Sequence, residues 1–187
     1  MRMNFSITKE DDEKMVSKRD FKKDTKVGDV GEYLGRQYVE QLGYSFISGP
    51  PDAELKEYDL LCSYGELFRT FECKADIRCK PPLVYYSNTA KKTRTIKNGD
   101  TGNIFIEFES RGKPSGIVTT KSDIWFYVFY YLREIWTIPT PKLKKLINEN
   151  NFDVRCGGDN NTSLGYIIPK DKFSQHFKKT NFNLDII

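Results

Sequence analysis

Tyr58-Asp59-Leu60-Leu61-Cys62-Ser63-Tyr64-Gly65-Glu66-Leu67-Phe68-Arg69-Thr70-Phe71-Glu72-Cys73-Lys74-Ala75-Asp76 is the stretch that decides the fold. In 58–63, Tyr58, Leu60 and Cys62 alternate with Asp59 and Leu61, the two-residue period of a strand. Tyr64-Gly65 supplies a tight turn. In 67–76 the alternation resumes, with Phe68, Thr70, Glu72 and Lys74 on one face and Arg69, Phe71 and Cys73 on the other. The pattern predicts a hairpin. It sets Asp59 among apolar neighbours inside a strand, where a carboxylate must be paired, hydrogen-bonded or bound to a cation to offset its desolvation.

Outward from the hairpin, Val27, Val30, Leu34, Tyr38 and Leu42 share one arc and predict a helix over 30–42 that Gly43 ends. A short strand over 44–48 leads into the turn Gly49-Pro50-Pro51-Asp52. On the other side, 80–102 reads as a basic connection containing Pro and Asn, and 103–110 as a strand with Ile104, Ile106 and Phe108 opposite Phe105, Glu107 and Glu109. A turn over 111–115 precedes a short helix expected near Ile117. Val, Ile, Tyr, Phe and Trp dominate 124–132 and 134–138, which predict a second hairpin. Pro141 opens a helix over 142–149, and a strand over 166–168 and a helical turn over 169–177 close the chain. The sum is a mixed α/β domain around one sheet.

The 187 residues fit a single domain, and 13 Phe, 11 Tyr and 2 Trp argue against global disorder. Residues 1–26 read as a charged N-terminal arm and 27–187 as the domain. No uninterrupted apolar run of about 18 residues occurs, and the charged start lacks a signal-type apolar segment, so the expectation is a soluble, intracellular, cytoplasmic protein without a membrane partner. The four cysteines form no Cys-x-x-Cys pair and His176 is the single histidine, which excludes zinc ribbons, C2H2 fingers and histidine-metal nucleases.

Net charge is only +4, but its distribution is uneven. Between Lys74 and Lys97, seven bases oppose Asp76 alone, a local +6. With Tyr85, Tyr86 and Asn88 interleaved, Arg78, Lys80, Lys91, Lys92, Arg94 and Lys97 suit phosphate contacts and base stacking. Solvated surface lysines are the plain alternative. Residues 10–26, by contrast, hold six acids and six bases and sum to zero. Lys121, with Thr119, Thr120 and Ser115-Gly116, is a weaker candidate for phosphate contact.

If the hairpin sets Asp59 beside Glu72, two carboxylates and the Lys74 ammonium converge. That grouping suits phosphodiester hydrolysis: hard oxygen ligands hold Mg²⁺, the ion neutralises developing charge, and the lysine orients or helps deprotonate the attacking water. A cross-strand salt bridge on a sheet face is the plain alternative. Asp52, after Pro51, is a second candidate for the first carboxylate, but it lies in a Pro-rich turn.

Asp59, then Glu72-Cys73-Lys74, with Glu32 upstream in Gly31-Glu32-Tyr33-Leu34-Gly35-Arg36, resembles the PD-(D/E)XK nuclease superfamily over about residues 27–76. The resemblance implies a restriction-endonuclease-like fold, a central mixed β-sheet flanked by helices. It also implies a Mg²⁺-dependent DNA endonuclease, with Mn²⁺ able to substitute, that leaves 5′-phosphate and 3′-hydroxyl ends. In that scheme Asp59 and Glu72 bind metal, Lys74 positions water, and Glu32 assists as a further ligand or an outer contact. Glu32 also fits a capping box begun by Asp29, and both readings stay open. Glu107 offers another carboxylate if its strand adjoins Glu72, and otherwise faces solvent. A Holliday-junction-resolvase-like enzyme, typically a homodimer, is the runner-up; a catalytically silent nucleic-acid-binding protein of the same fold is the rival. A compact stand-alone nuclease would suit a bacterium or a phage-infected cell.

Overall fold

The computed structural model describes residues 6–7, 25–49, 57–77, 79, 83–87, 92–96, 99–157 and 161–184. Arg78, Lys80, Lys91, Lys97 and Asp52 lie outside them, as do the side chains of Lys92 and Arg94. Along the chain run β1 (Ser6–Ile7), α1 (Thr25–Gln41), β2 (Ser45–Ser48), β3 (Leu60–Tyr64), β4 (Leu67–Asp76), β5 (Leu83–Ser87) and β6 (Lys92–Ile96). There follow β7 (Asn103–Ser110), β8 (Lys113–Pro114), β9 (Ile124–Phe129), β10 (Glu134–Pro139) and α2 (Thr140–Glu149). The last elements are β11 (Asp153–Gly157), β12 (Ser163–Pro169), α3 (Lys170–Phe173), β13 (Lys178–Asn181) and β14 (Asn183–Leu184).

The result is mixed α/β, built on a six-stranded sheet in the order β13-β10-β9-β4-β3-β2. All of its pairs are antiparallel except β4 with β9, which run parallel. A parallel pair needs a crossover, and here the connection carries the β5–β6 ribbon and the β7–β8 hairpin. A second sheet, in the order β11-β12-β7-β8, holds β7 apart from β4. The expectation of one sheet is corrected: β11 and β12 draw β7 into a sheet of its own. No helix among the described residues is long and apolar enough to cross a membrane.

Both faces of the large sheet are covered at its centre, which explains why β9 reads as an unbroken apolar run. Phe126 and Val128 pack under Val30, Leu34, Tyr38 and Val39 of α1. Trp125, Tyr127 and Phe129 instead meet Ile104 and Ile106 of β7, Ile168 of β12 and Leu143 of α2. Near Ile117 the chain makes a hydrogen-bonded turn, Val118 to Ser115 and Thr120 to Gly116, rather than the expected helix.

Helix α1 approaches β4 closely because it presents two glycines one turn apart. A Cβ at Gly31 would lie 3.3 Å from Ala75 Cβ, and one at Gly35 would lie 2.8 Å from Cys73 Sγ. The helix ends at Gly43, whose φ of +89° is accessible to glycine without strain. There the Tyr44 amide donates to Val39 O and the Gly43 amide to Glu40 O, the paired bonds of a Schellman motif.

Candidate active site

Strands β3 and β4 pair with Leu60 opposite Phe71, so the register carried one residue further sets Asp59 opposite Glu72. Asp59 is buried but lies just outside β3, correcting the expectation of a mid-strand position. Its amide donates to Phe71 O at 2.8 Å. Its Oδ2 accepts the Cys73 amide hydrogen at 2.7 Å. Where β3 begins, the carboxylate thus takes the place of a ladder carbonyl, and a buried polar group gains its hydrogen-bond partner.

Glu72 and Lys74 share the opposite face of β4 from Phe71 and Cys73. Lys74 Nζ lies 2.5 Å from Glu72 Oε1 and 3.9 Å from Asp59 Oδ2. Glu72 is only 6% exposed. Burial, then the Asp59 charge, raises its pKa above the ordinary glutamate value, against the pull of Lys74 and a hydrogen bond from Thr120. For Lys74, burial disfavours the ammonium, yet Glu72 and Asp59 outweigh it and raise the pKa, so the side chain stands as a cation. The ammonium also lies 5.8 Å from the centre of the Trp125 ring. Trp125 Nε1 is the single buried side-chain polar atom without a partner among the described residues.

Thr120 completes this cluster from the segment before β9, donating its hydroxyl hydrogen to Glu72 Oε2 at 2.9 Å. The sequence placed Thr120 in a loop suited to phosphate; its hydroxyl turns inward instead. Asp123 fixes that segment to β4, accepting the Thr70 amide hydrogen at 2.9 Å. Lys121, exposed, pairs with the Glu57 carboxylate.

Glu32 is the eighth residue of α1, which begins at Thr25. Asp29 therefore cannot be the N-cap and the capping-box alternative falls. Glu32 lies on the helix where Gly31 meets Lys74 and Ala75, and its charge is felt at Cys73. It does not gather with Asp59 and Glu72: among the described residues no three His, Cys, Asp or Glu side chains form a metal-binding group. Glu107 lies in the second sheet, not beside β4, and its Oε1 accepts the Ser115 hydroxyl hydrogen at 2.7 Å. The condition on which it would have joined Glu72 is not met. A cleft of about 520 Å³, walled by Tyr38, Tyr44, Phe71, Phe126, Lys142 and His176 among others, includes neither Asp59, Glu72 nor Lys74.

The site brings two carboxyl groups to one ammonium. This donor set fits Mg²⁺, which commonly takes one or two protein carboxylates and completes its shell with water and substrate oxygens. The ligands on offer are Asp59 and Glu72.

No protein-family model matches the chain. No curated protein matches it either. Among solved structures it is similar to a bacterial homing endonuclease, I-Ssp6803I, at 12% identity and a TM-score of 0.41, over 78% of this chain and 78% of that one.

Proposed function

We propose that the chain is a metal-dependent DNA endonuclease of the PD-(D/E)XK kind, with Mg²⁺ or Mn²⁺ held by Asp59 and Glu72. One observation carries this: two buried carboxyl groups from paired segments, Asp59 and Glu72, lie within 3.9 Å of the same Lys74 ammonium. A structural ion pair does not need the second carboxylate, since two buried acids beside each other oppose one another's ionisation.

The divalent ion, when bound, supplies charge neutralisation at the phosphoryl oxygens. Asp59 and Glu72 fix its place. Lys74, as an ammonium, donates hydrogen bonds that orient the attacking water and offset charge gathering on phosphate. Attack on phosphorus breaks the bond to O3′, leaving a 5′-phosphate and, after protonation from solvent, a 3′-hydroxyl. Glu32 acts from the neighbouring helix turn as an outer carboxylate rather than a direct ligand. The basic segment Arg78 to Lys97 and Lys121 supply phosphate contacts.

Incubation of the full chain with supercoiled plasmid, single strands, four-way junctions and RNA, in Mg²⁺ and in EDTA, tests this. Cleavage of DNA in Mg²⁺ alone supports it. Selective cleavage of four-way junctions identifies a resolvase-like enzyme, and binding without cleavage in Mg²⁺ identifies a silent binding protein.

A further inference from the structure

Thr120, Ser122 and Thr140 are all buried, and their hydroxyls form a chain from Glu72 to the first residue of α2. Thr120 Oγ1 lies 2.9 Å from Glu72 Oε2, 3.1 Å from Glu57 O and 3.1 Å from Ser122 Oγ. Ser122 Oγ in turn lies 3.0 Å from Thr140 Oγ1. A threonine has one hydrogen to give. The Ser122 amide already donates to Thr120 Oγ1 at 3.2 Å. Of the three acceptors within reach, the carboxylate is the strongest when ionised. The Thr120 hydrogen is therefore committed to Glu72.

That commitment has a geometric consequence. Lys74 holds Oε1 and Thr120 holds Oε2, so rotating the carboxylate about its last bond breaks both contacts together. The segment that carries Thr120 is itself fixed from several sides. The Lys121 amide donates to Glu57 O at 2.8 Å, and Lys144 Nζ donates to Thr120 O at 3.1 Å. The branched Thr120 side chain adds a stiff χ1. A flexible glutamate is thereby kept in one orientation beside Asp59.

We infer that Thr120 is a positioning residue of the cation site, fixing the Glu72 carboxylate through its hydroxyl while itself touching neither metal nor substrate. This rests on the proposed role of Asp59 and Glu72 as ligands. Hydrogen-bond partners of metal ligands characteristically contribute about 10–100-fold in metal affinity or activity.

The test is Mn²⁺ binding to the full chain by titration calorimetry, with cleavage of supercoiled plasmid and melting in EDTA measured alongside. Thr120→Val, nearly isosteric but without the hydroxyl, should weaken Mn²⁺ binding by about 10–100-fold, and Thr120→Ser should restore it. Should Thr120→Val not fold, Thr120→Ala carries the same comparison without the bulk of a second methyl group. A hydroxyl that merely satisfies a buried acid would lower the melting temperature yet leave the Mn²⁺ affinity of the folded protein at the wild-type value, and that result overturns the inference. Asp59→Asn separates the two levels. If it loses Mn²⁺ binding while Thr120→Val keeps it, the positioning role alone fails; if Asp59→Asn binds Mn²⁺ like the wild type, the ligand assignment fails and the positioning role with it.

Discussion

The Asp59 carboxylate accepts the Cys73 amide hydrogen at 2.7 Å, so the residue assigned to the metal also closes the strand ladder beside Glu72. The two duties separate by substitution. Asparagine keeps a carbonyl oxygen for the Cys73 amide, whereas alanine leaves that buried amide unpaired. Asp59→Ala should therefore lose about 1–3 kcal/mol of stability and Asp59→Asn markedly less, measured by urea unfolding in EDTA. Equal losses would deny the ladder role.

Lys74 gives a different pattern. Lys74→Ala should lower single-turnover cleavage by about 10²–10⁴-fold while leaving plasmid binding in Ca²⁺ nearly intact. Without metal it leaves Asp59 and Glu72 facing each other, and the variant should be less stable. The loss should stay below the roughly 3–5 kcal/mol of a fully buried broken pair, because the Lys74 side chain is 36% exposed. Mn²⁺ should then raise the melting temperature of Lys74→Ala more than that of the wild type. A destabilised variant that cleaves at the wild-type rate would reduce Lys74 to a salt-bridge residue.

The two helix glycines are not equivalent. A Cβ at Gly35 would meet Cys73 Sγ at 2.8 Å and Phe126 Cδ2 at 3.2 Å, whereas at Gly31 the nearest atoms are at 3.3 and 3.4 Å. Overpacking costs about 1–3 kcal/mol, while replacing a helical glycine by alanine returns up to about 1 kcal/mol of helix propensity. Gly35→Ala should be destabilising and Gly31→Ala near neutral by urea unfolding. The reverse order would contradict the packing of α1 on β4.

Strand β4 was legible residue for residue because its two faces differ: Phe71 and Cys73 go under α1, while Glu72 and Lys74 do not. Strand β7 was legible from its alternation, and the β9–β10 pair from its run of β-branched and aromatic residues, which both faces of the sheet bury. Helix α1 begins at Thr25, five residues before the expected start at Val30, because the apolar arc already includes Val27. Strand β11 escaped because most of Asp153–Gly157 is exposed and mixes charged with apolar residues, and β5–β6 because Pro81-Pro82 and dense charge read as a connection. The convergence of Asp59, Glu72 and Lys74 was legible from local spacing. Thr120 was not legible as a partner of Glu72, because the two meet only through the parallel pairing of β4 with β9, which no local pattern announces.

The cysteines carry a further expectation. Cys62, Cys73 and Cys79 are buried and Cys156 is exposed. Burial, then the Glu40 charge, pushes the Cys62 thiol up to about 11, and burial likewise raises Cys73 and Cys79. Because the thiolate is the reactive form, a raised pKa and lack of access both protect these three at pH 8. An aromatic disulfide reagent should titrate one thiol, Cys156, in the native protein and all four of the chain's cysteines in guanidinium. Fast reaction of a second thiol in the native protein would contradict the packing of Cys62 and Cys73 beneath α1 or of Cys79 in the core on the opposite side of the sheet.

The most direct test of the central claim is plasmid cleavage by the wild type and Asp59→Asn, in Mg²⁺ and in EDTA, with both proteins shown to be folded by melting. The wild type should convert supercoiled plasmid to nicked or linear forms in Mg²⁺ and not in EDTA. Asp59→Asn should be slower by at least about 100-fold, the several kcal/mol that a bound metal contributes to such a transition state. Metal-dependent cleavage by Asp59→Asn at the wild-type rate, or cleavage by the wild type in EDTA, would contradict the assignment.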